Sequence, residues 1–174
     1  MHCHRRERAD GQPATHPPLT ALPVPWKEFA EAEPELAAFG ADRLLLSPAY
    51  LATVRKGGTP RVHPVTPILT NEGLFLFMEP ASPKGRDLRD RGWYALHNGV
   101  PDTEGSGGEF FVAGKGRAVD DAATREVVAE ASSYEPAERY VMFELMVGEA
   151  RCNGYGDVAL PSNRRWSVSR RVTR

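Results

Sequence analysis

Cysteine is almost missing from this chain of 174 residues: Cys3 and Cys152 are the only two, and they lack the paired spacing of a disulfide framework or a zinc cage. That scarcity suits a reducing cytoplasm. Long apolar runs are missing as well, none approaching the roughly 18 residues of a spanning helix, which argues against a membrane protein. The basic leader with His2, His4, Arg5, Arg6 and Arg8 has no apolar stretch behind it and does not read as a secretory signal. His2, Cys3 and His4 are three adjacent potential ligands without a distant fourth, so no metal site is expected. Charge of one sign is missing too: 22 basic and 23 acidic residues leave a net charge of −1, without the global basic excess of a nucleic-acid binder. Neither G-x-G-x-x-G nor G-x-x-x-x-G-K-[ST] occurs, which excludes the common nucleotide loops.

What is present is an ordinary globular composition, 41% hydrophobic and 26% charged, in a length that suits one domain. Residues 1–25 are basic and then proline-rich, a composition that buries too little apolar area to offset ordering, and they read as a flexible arm. Residues 26–174 read as the single domain. A helical pattern runs from Trp26 through Phe29 and, after Pro34 in a first-turn position, through Leu36, Phe39, Leu44 and Leu45. The period then changes. Residues 50–55 alternate as a strand, Lys56-Gly57-Gly58-Thr59 makes a turn, and 61–69 is a second extended run. Asn71-Glu72-Gly73 turns the chain into a third strand over 74–78, so the three strands are expected to form an antiparallel meander. Further strands are expected over 93–97, 110–119, 141–150 and 165–168, with helices from Pro83 and over 121–131. Gly114 and Gly116 mark a bulge or a close backbone approach, and residues 98–108 make a long glycine-rich loop. Six or seven short strands with glycine corners predict a mainly β fold, a β-barrel with peripheral helices.

Two segments carry candidate chemistry. In Ser82-Pro83-Lys84-Gly85-Arg86 a serine cap and a first-turn proline open a helix whose free N–H groups, with Lys84 and Arg86, could hold a phosphate. The same residues also suit a capped surface helix with solvated side chains. Residues 60–67, Pro-Arg-Val-His-Pro-Val-Thr-Pro, form an extended run whose prolines cannot donate ladder hydrogen bonds, leaving carbonyls, Arg61 and Thr66 for a flat heteroaromatic ligand or simply blocking edge pairing. His63 and His97 are the histidines within expected strands, each either a proton donor or a hydrogen-bonded structural residue.

The segments AYLATVRKGGTPRVHPVTPIL, LFLFMEPASPKGRDLRD, WYALHN and EFFVAGKGRAV resemble the pyridoxamine 5′-phosphate oxidase-like, FMN-binding split-barrel family, well over residues 45–125 and loosely elsewhere. The resemblance implies a split β-barrel of FMN-binding type. It implies a homodimer with flavin mononucleotide in a crevice between subunits and a small-molecule substrate, without nucleic acid or membrane. Arg61, Val62, His63 and Thr66 would line the ring and ribityl chain, Phe77 and Met78 would flank them, and Ser82 and Lys84 would hold the phosphate. The family usually carries a basic residue at or beside Pro83, and here Arg86 would supply that charge. His97 and Trp166 would close the pocket, although NRRWSVSRRVTR matches the true oxidases' C-terminal motif only loosely. The implied activity is that of an FMN-dependent oxidoreductase with unassigned substrate. Only four lysines stand among the 22 basic residues, an arginine bias typical of GC-rich genomes, where relatives also bind a deazaflavin coenzyme. A deazaflavin-dependent reductase, a non-catalytic flavin- or haem-binding protein, and a cofactor-free barrel whose arginine tail meets a partner are the alternatives.

Overall fold

The computed structural model describes residues 21–46, 48–155 and 163–168. Helix α1 (Trp26–Ala32) and helix α2 (Pro34–Leu46) are separated at Glu33 because Pro34, which has no N–H to donate, starts a new helix at its own first position. Eight strands follow: β1 (Ala49–Val54), β2 (Pro60–Val65), β3 (Ile68–Leu69), β4 (Leu74–Met78), β5 (Trp93–His97), β6 (Glu109–Val119), β7 (Val141–Asn153) and β8 (Arg164–Ser167). Helix α3 (Pro83–Arg91) lies between β4 and β5, and helix α4 (Ala122–Glu130) between β6 and β7. Most of the arm expected over residues 1–25, with His2, Cys3 and His4, lies outside the described residues, as does the end of the arginine tail. Val24 belongs to the body: it exchanges backbone hydrogen bonds of 2.9 and 2.7 Å with Val147 of β7. Among the described residues no helix is long and apolar enough to cross a membrane.

The expected three-strand meander does not form. The run 61–69 breaks at Thr66-Pro67 into β2 and β3, and the two halves join opposite ends of one sheet of order β2-β1-β5-β6-β7-β4-β3, with β8 paired to β7. Val65 and Ile68 are therefore three residues apart in the chain yet sit on opposite edges. Three residues reach at most about 10 Å, so the sheet must curl until its edges nearly meet. Pairing is antiparallel throughout, and the longest ladder, β6 with β7, shifts register between Ala113 and Gly114. A Cβ on Gly114 would lie 2.0 Å from the Met146 carbonyl oxygen, which is the close approach its sequence position suggested.

The inward faces of the strands make the core, with Leu51, Leu76, Leu96, Phe110, Val112, Phe143 and Leu145 fully buried and Phe29, Leu36 and Leu44 packed in from α1 and α2. A second cluster of Phe75, Phe77, Met142 and Val128 lies on the outer side, under α4. Strand β4 is thus buried on both faces, which explains its unbroken apolar run Leu-Phe-Leu-Phe-Met. The outer face of β2, β1 and β5 lacks such a helix among the described residues and exposes Val62, Tyr50 and Trp93.

Candidate functional site

Alternation along β2 sends Arg61, His63 and Val65 toward the inner side, while Pro60, Val62 and Pro64 face out. On that inner side β2 meets the start of α3. Ser82 caps the helix, its hydroxyl accepting from the Gly85 N–H at 3.2 Å, and a Cβ on Gly85 would lie only 2.9 Å from that same oxygen, so the tight turn needs a glycine. The helix is locked onto the sheet by Asp87, which is buried. Its carboxylate accepts from Thr53 Oγ1 at 3.0 Å, Arg61 Nε at 2.9 Å and Arg91 Nη2 at 2.7 Å. Burial alone would push this carboxyl up. The bonds from Arg61, Thr53 and Arg91 and the Arg61 charge outweigh it and hold the group below the usual carboxylate range.

Arg61 is therefore a fixed cation with its Nη groups left over. His63 is held below its ordinary pKa first by burial and then by the charges of Lys84 and Arg61, against a smaller opposing effect of Asp87, with Arg55 adding to the depression. At neutral pH it is uncharged, and its buried Nδ1 has no hydrogen-bond partner. Arg61, His63 and Lys84 thus converge on the N-terminal turn of α3, where the helix dipole adds a positive potential. Such a cluster suits a phosphate: it offers cations at the positive end of a helix, and it contains a buried polar atom that needs a partner.

No family model matches the sequence, and no curated protein does. Solved structures do match. The haem-binding protein from Mycobacterium smegmatis is 19% identical at a TM-score of 0.58, over 75% of this chain and 57% of that one. A NimC/NimA family protein from Clostridium acetobutylicum is 17% identical at 0.58, over 83% of this chain and 95% of the other. PhzG from Burkholderia lata 383, in complex with tetrahydrophenazine-1-carboxylic acid, is 13% identical at 0.52, over 83% and 93%. The chain has the split-barrel fold of pyridoxamine 5′-phosphate oxidase-like proteins. Identities this low carry the architecture, and the chemistry rests on the side chains of this split barrel.

The remaining candidate residues fall into separate places. Arg86 is exposed on α3, and Thr66 is exposed at the break between β2 and β3. Val62 faces the bare outer side of the barrel, 60% exposed. His97, at the end of β5, is also on that outer side, opposite Tyr50 and Phe111, with Nδ1 2.6 Å from the Asn98 carbonyl oxygen. It edges a hollow of about 590 Å³ lined also by Phe111, Arg151 and Arg165. The side chains of Phe77 and Met78 are taken up by packing: the Phe77 ring lies under the Arg125 guanidinium at 4.8 Å, and Met78 points into the barrel core. Trp166 on β8 packs its ring 5.0 Å from that of Phe29. Sequence reasoning missed Asp87 and Thr53. The signal was available in Gly-Arg-Asp-Leu-Arg-Asp, where Asp87 is one residue from the apolar Leu88 that seats the helix, and in the inward position of Thr53 on β1.

Proposed function

We propose that the split barrel binds flavin mononucleotide and works as an FMN-dependent oxidoreductase, as a homodimer with the cofactor in a crevice between two copies. The observation that supports this reading most is the cluster of Arg61, His63 and Lys84 on the capped N-terminus of α3, with the orphaned Nδ1 of His63 inside it. Bound there, the flavin would supply the hydride chemistry. The chain's own groups bind and orient. Lys84 and the positive end of α3 neutralise the phosphate, Arg61 is held at a fixed angle by Asp87 so that its free Nη atoms can reach the same ligand, and Nδ1 of His63 can hold a proton against a phosphate oxygen. Arg61 is only about a quarter exposed (23%), so these charges act in a partly desolvated setting.

A second reading is a storage or sensing protein that holds haem or flavin without turnover; the likeness to the mycobacterial haem-binding protein favours it. One experiment separates the two. The absorption spectrum of the freshly purified protein, with mass identification of the group released on denaturation, distinguishes flavin, deazaflavin and haem, and a nicotinamide donor then tests whether the bound group is reduced and reoxidised. A flavin spectrum with turnover is the expected result. A haem spectrum, or a flavin that no donor reduces, favours the second reading, and a colourless protein that ignores added flavin rejects both.

A further inference from the structure

Between the last turn of α2, the start of β1 and residues 98–108 lies a second hollow, of about 410 Å³, lined by Arg43, Leu46, Pro48, Tyr50, Val100 and Pro101 among others. Most of these side chains are apolar, and three are unusually bare for their type: Leu46 is 72%, Tyr50 51% and Val100 38% exposed. The base of the loop is firm. Buried Asn98 donates to the carbonyls of Gly99 and Gly108 and accepts from the Phe110 N–H at 2.6 Å, while the Asp102 carboxylate accepts from the Glu104 and Ser106 N–H groups. The polar group that remains is Arg43. Its guanidinium lies 5.1 Å over the Phe39 ring, one Nη atom abuts Gly107, and its buried Nε has no hydrogen-bond partner. No carboxylate pairs with it among the described residues. A buried donor left unmade is costly, and a cation facing an apolar hollow without an acid is the arrangement that a ligand anion completes.

We propose that this hollow binds a small aromatic monocarboxylate, its ring against Tyr50 and the two prolines and its carboxylate on Arg43. The single cation sets the charge. A planar guanidinium matches a carboxylate through two parallel N–H···O bonds, whereas a phosphate dianion would face one positive charge beside the negative C-terminal end of α2. The apolar walls select a ring over a hydroxylated acid. The site is separate from the α3 cluster and holds whether or not flavin binds.

Titration calorimetry on the full chain with 2-naphthoate, its neutral amide and 2-naphthyl phosphate tests this. Naphthoate should bind saturably, and the amide and the phosphate at least about tenfold more weakly, the range that a charged hydrogen bond commands. Arg43→Gln should remove the preference of acid over amide. Val100→Trp, which fills the hollow and leaves Arg43 intact, should abolish binding of both, so the conclusion survives if Arg43→Gln misfolds. Lys84→Ala should leave naphthoate binding unchanged, which separates this site from the flavin reading. Equal binding of acid and amide, phosphate bound as tightly as acid, an acid preference that persists in Arg43→Gln, or no saturable binding overturns the proposal.

Discussion

At the scale of single residues the α3 end of the barrel is an arrangement of charges held in place by one buried acid. Lys84 touches no acid among the described residues, and replacing it with alanine removes charge without removing core. Lys84→Ala should weaken flavin mononucleotide by about tenfold, the lower part of the range for a charged hydrogen bond because the side chain is half-buried, and leave riboflavin binding nearly unchanged. Equal weakening of both ligands in a fluorescence titration would detach Lys84 from the phosphate. Asp87 behaves differently, because its role is structural. Its folded-state pKa is depressed, so its contribution is complete above the unfolded value of about 3.9 and is lost as pH falls through the lower folded value. Asp87→Asn should therefore cost about 1–3 kcal/mol at neutral pH and flatten the loss of stability below about pH 4. Denaturant unfolding at pH 7 and pH 3 checks this, and parallel pH dependence in the two proteins would contradict it.

At the scale of elements, legibility followed local chemistry and failed where pairing is remote. The cap at Ser82, the Pro34 start and the hairpin at Gly57-Gly58 are decided by neighbours in sequence, and each element formed near its expected place. The partners of β2 and β4 are decided by closure of the whole sheet. A turn as short as residues 70–73 signals a hairpin, and it does join β3 to β4, but nothing local says that Pro67 ends one edge of the barrel and starts the other. The candidate site divided in the same way: Arg61, His63, Ser82 and Lys84 meet because β2 runs into α3, while the roles of Asp87 and Arg43 depend on contacts no motif records. Gly40 shows the cost of such a contact. Alanine there would gain about 1 kcal/mol in helix propensity, yet its Cβ would fall 2.4 Å from a ring atom of fully buried Phe110, whose ring is 6.1 Å from that of Trp26. Overpacking typically costs 1–3 kcal/mol, so Gly40→Ala should be net destabilising by up to about 2 kcal/mol, while Gly57→Ala, in open space, should be near neutral. A higher melting temperature for Gly40→Ala would mean that α2 shifts freely on β6.

At the scale of the whole molecule the barrel is covered unevenly. Helix α4 seals the outer side of β4 and β7 over Phe75, Phe77 and Met142, whereas the outer side of β2, β1 and β5 carries Val62 at 60%, Tyr50 at 51% and Trp93 at 39% exposure. These three lie on one face of neighbouring strands, with the small residues Ala52 and Ala95 between them and Tyr50 at the margin beside the Arg43 hollow, and a flat apolar face of that kind invites a second copy of the same chain. A stable dimer needs roughly 800 Å² from each partner, more than one face of three strands of five or six residues offers, so the contact would extend beyond Val62, Tyr50 and Trp93. The same face carries His97 at its edge, while Arg61 and His63 lie on the other side of β2, so a partner would meet the phosphate cluster only around the free edge of that strand. Sedimentation velocity should show a dimer at micromolar concentration. Val62→Glu puts a charge where the second copy would remove water, and it should yield a folded monomer whose circular dichroism is unchanged, since the Val62 side chain contributes little to the core. Because the crevice is then incomplete, flavin mononucleotide should bind that monomer at least about tenfold more weakly. A wild-type chain that sediments as a monomer and still binds flavin tightly would show that one copy suffices, and the bare face would then need a different occupant.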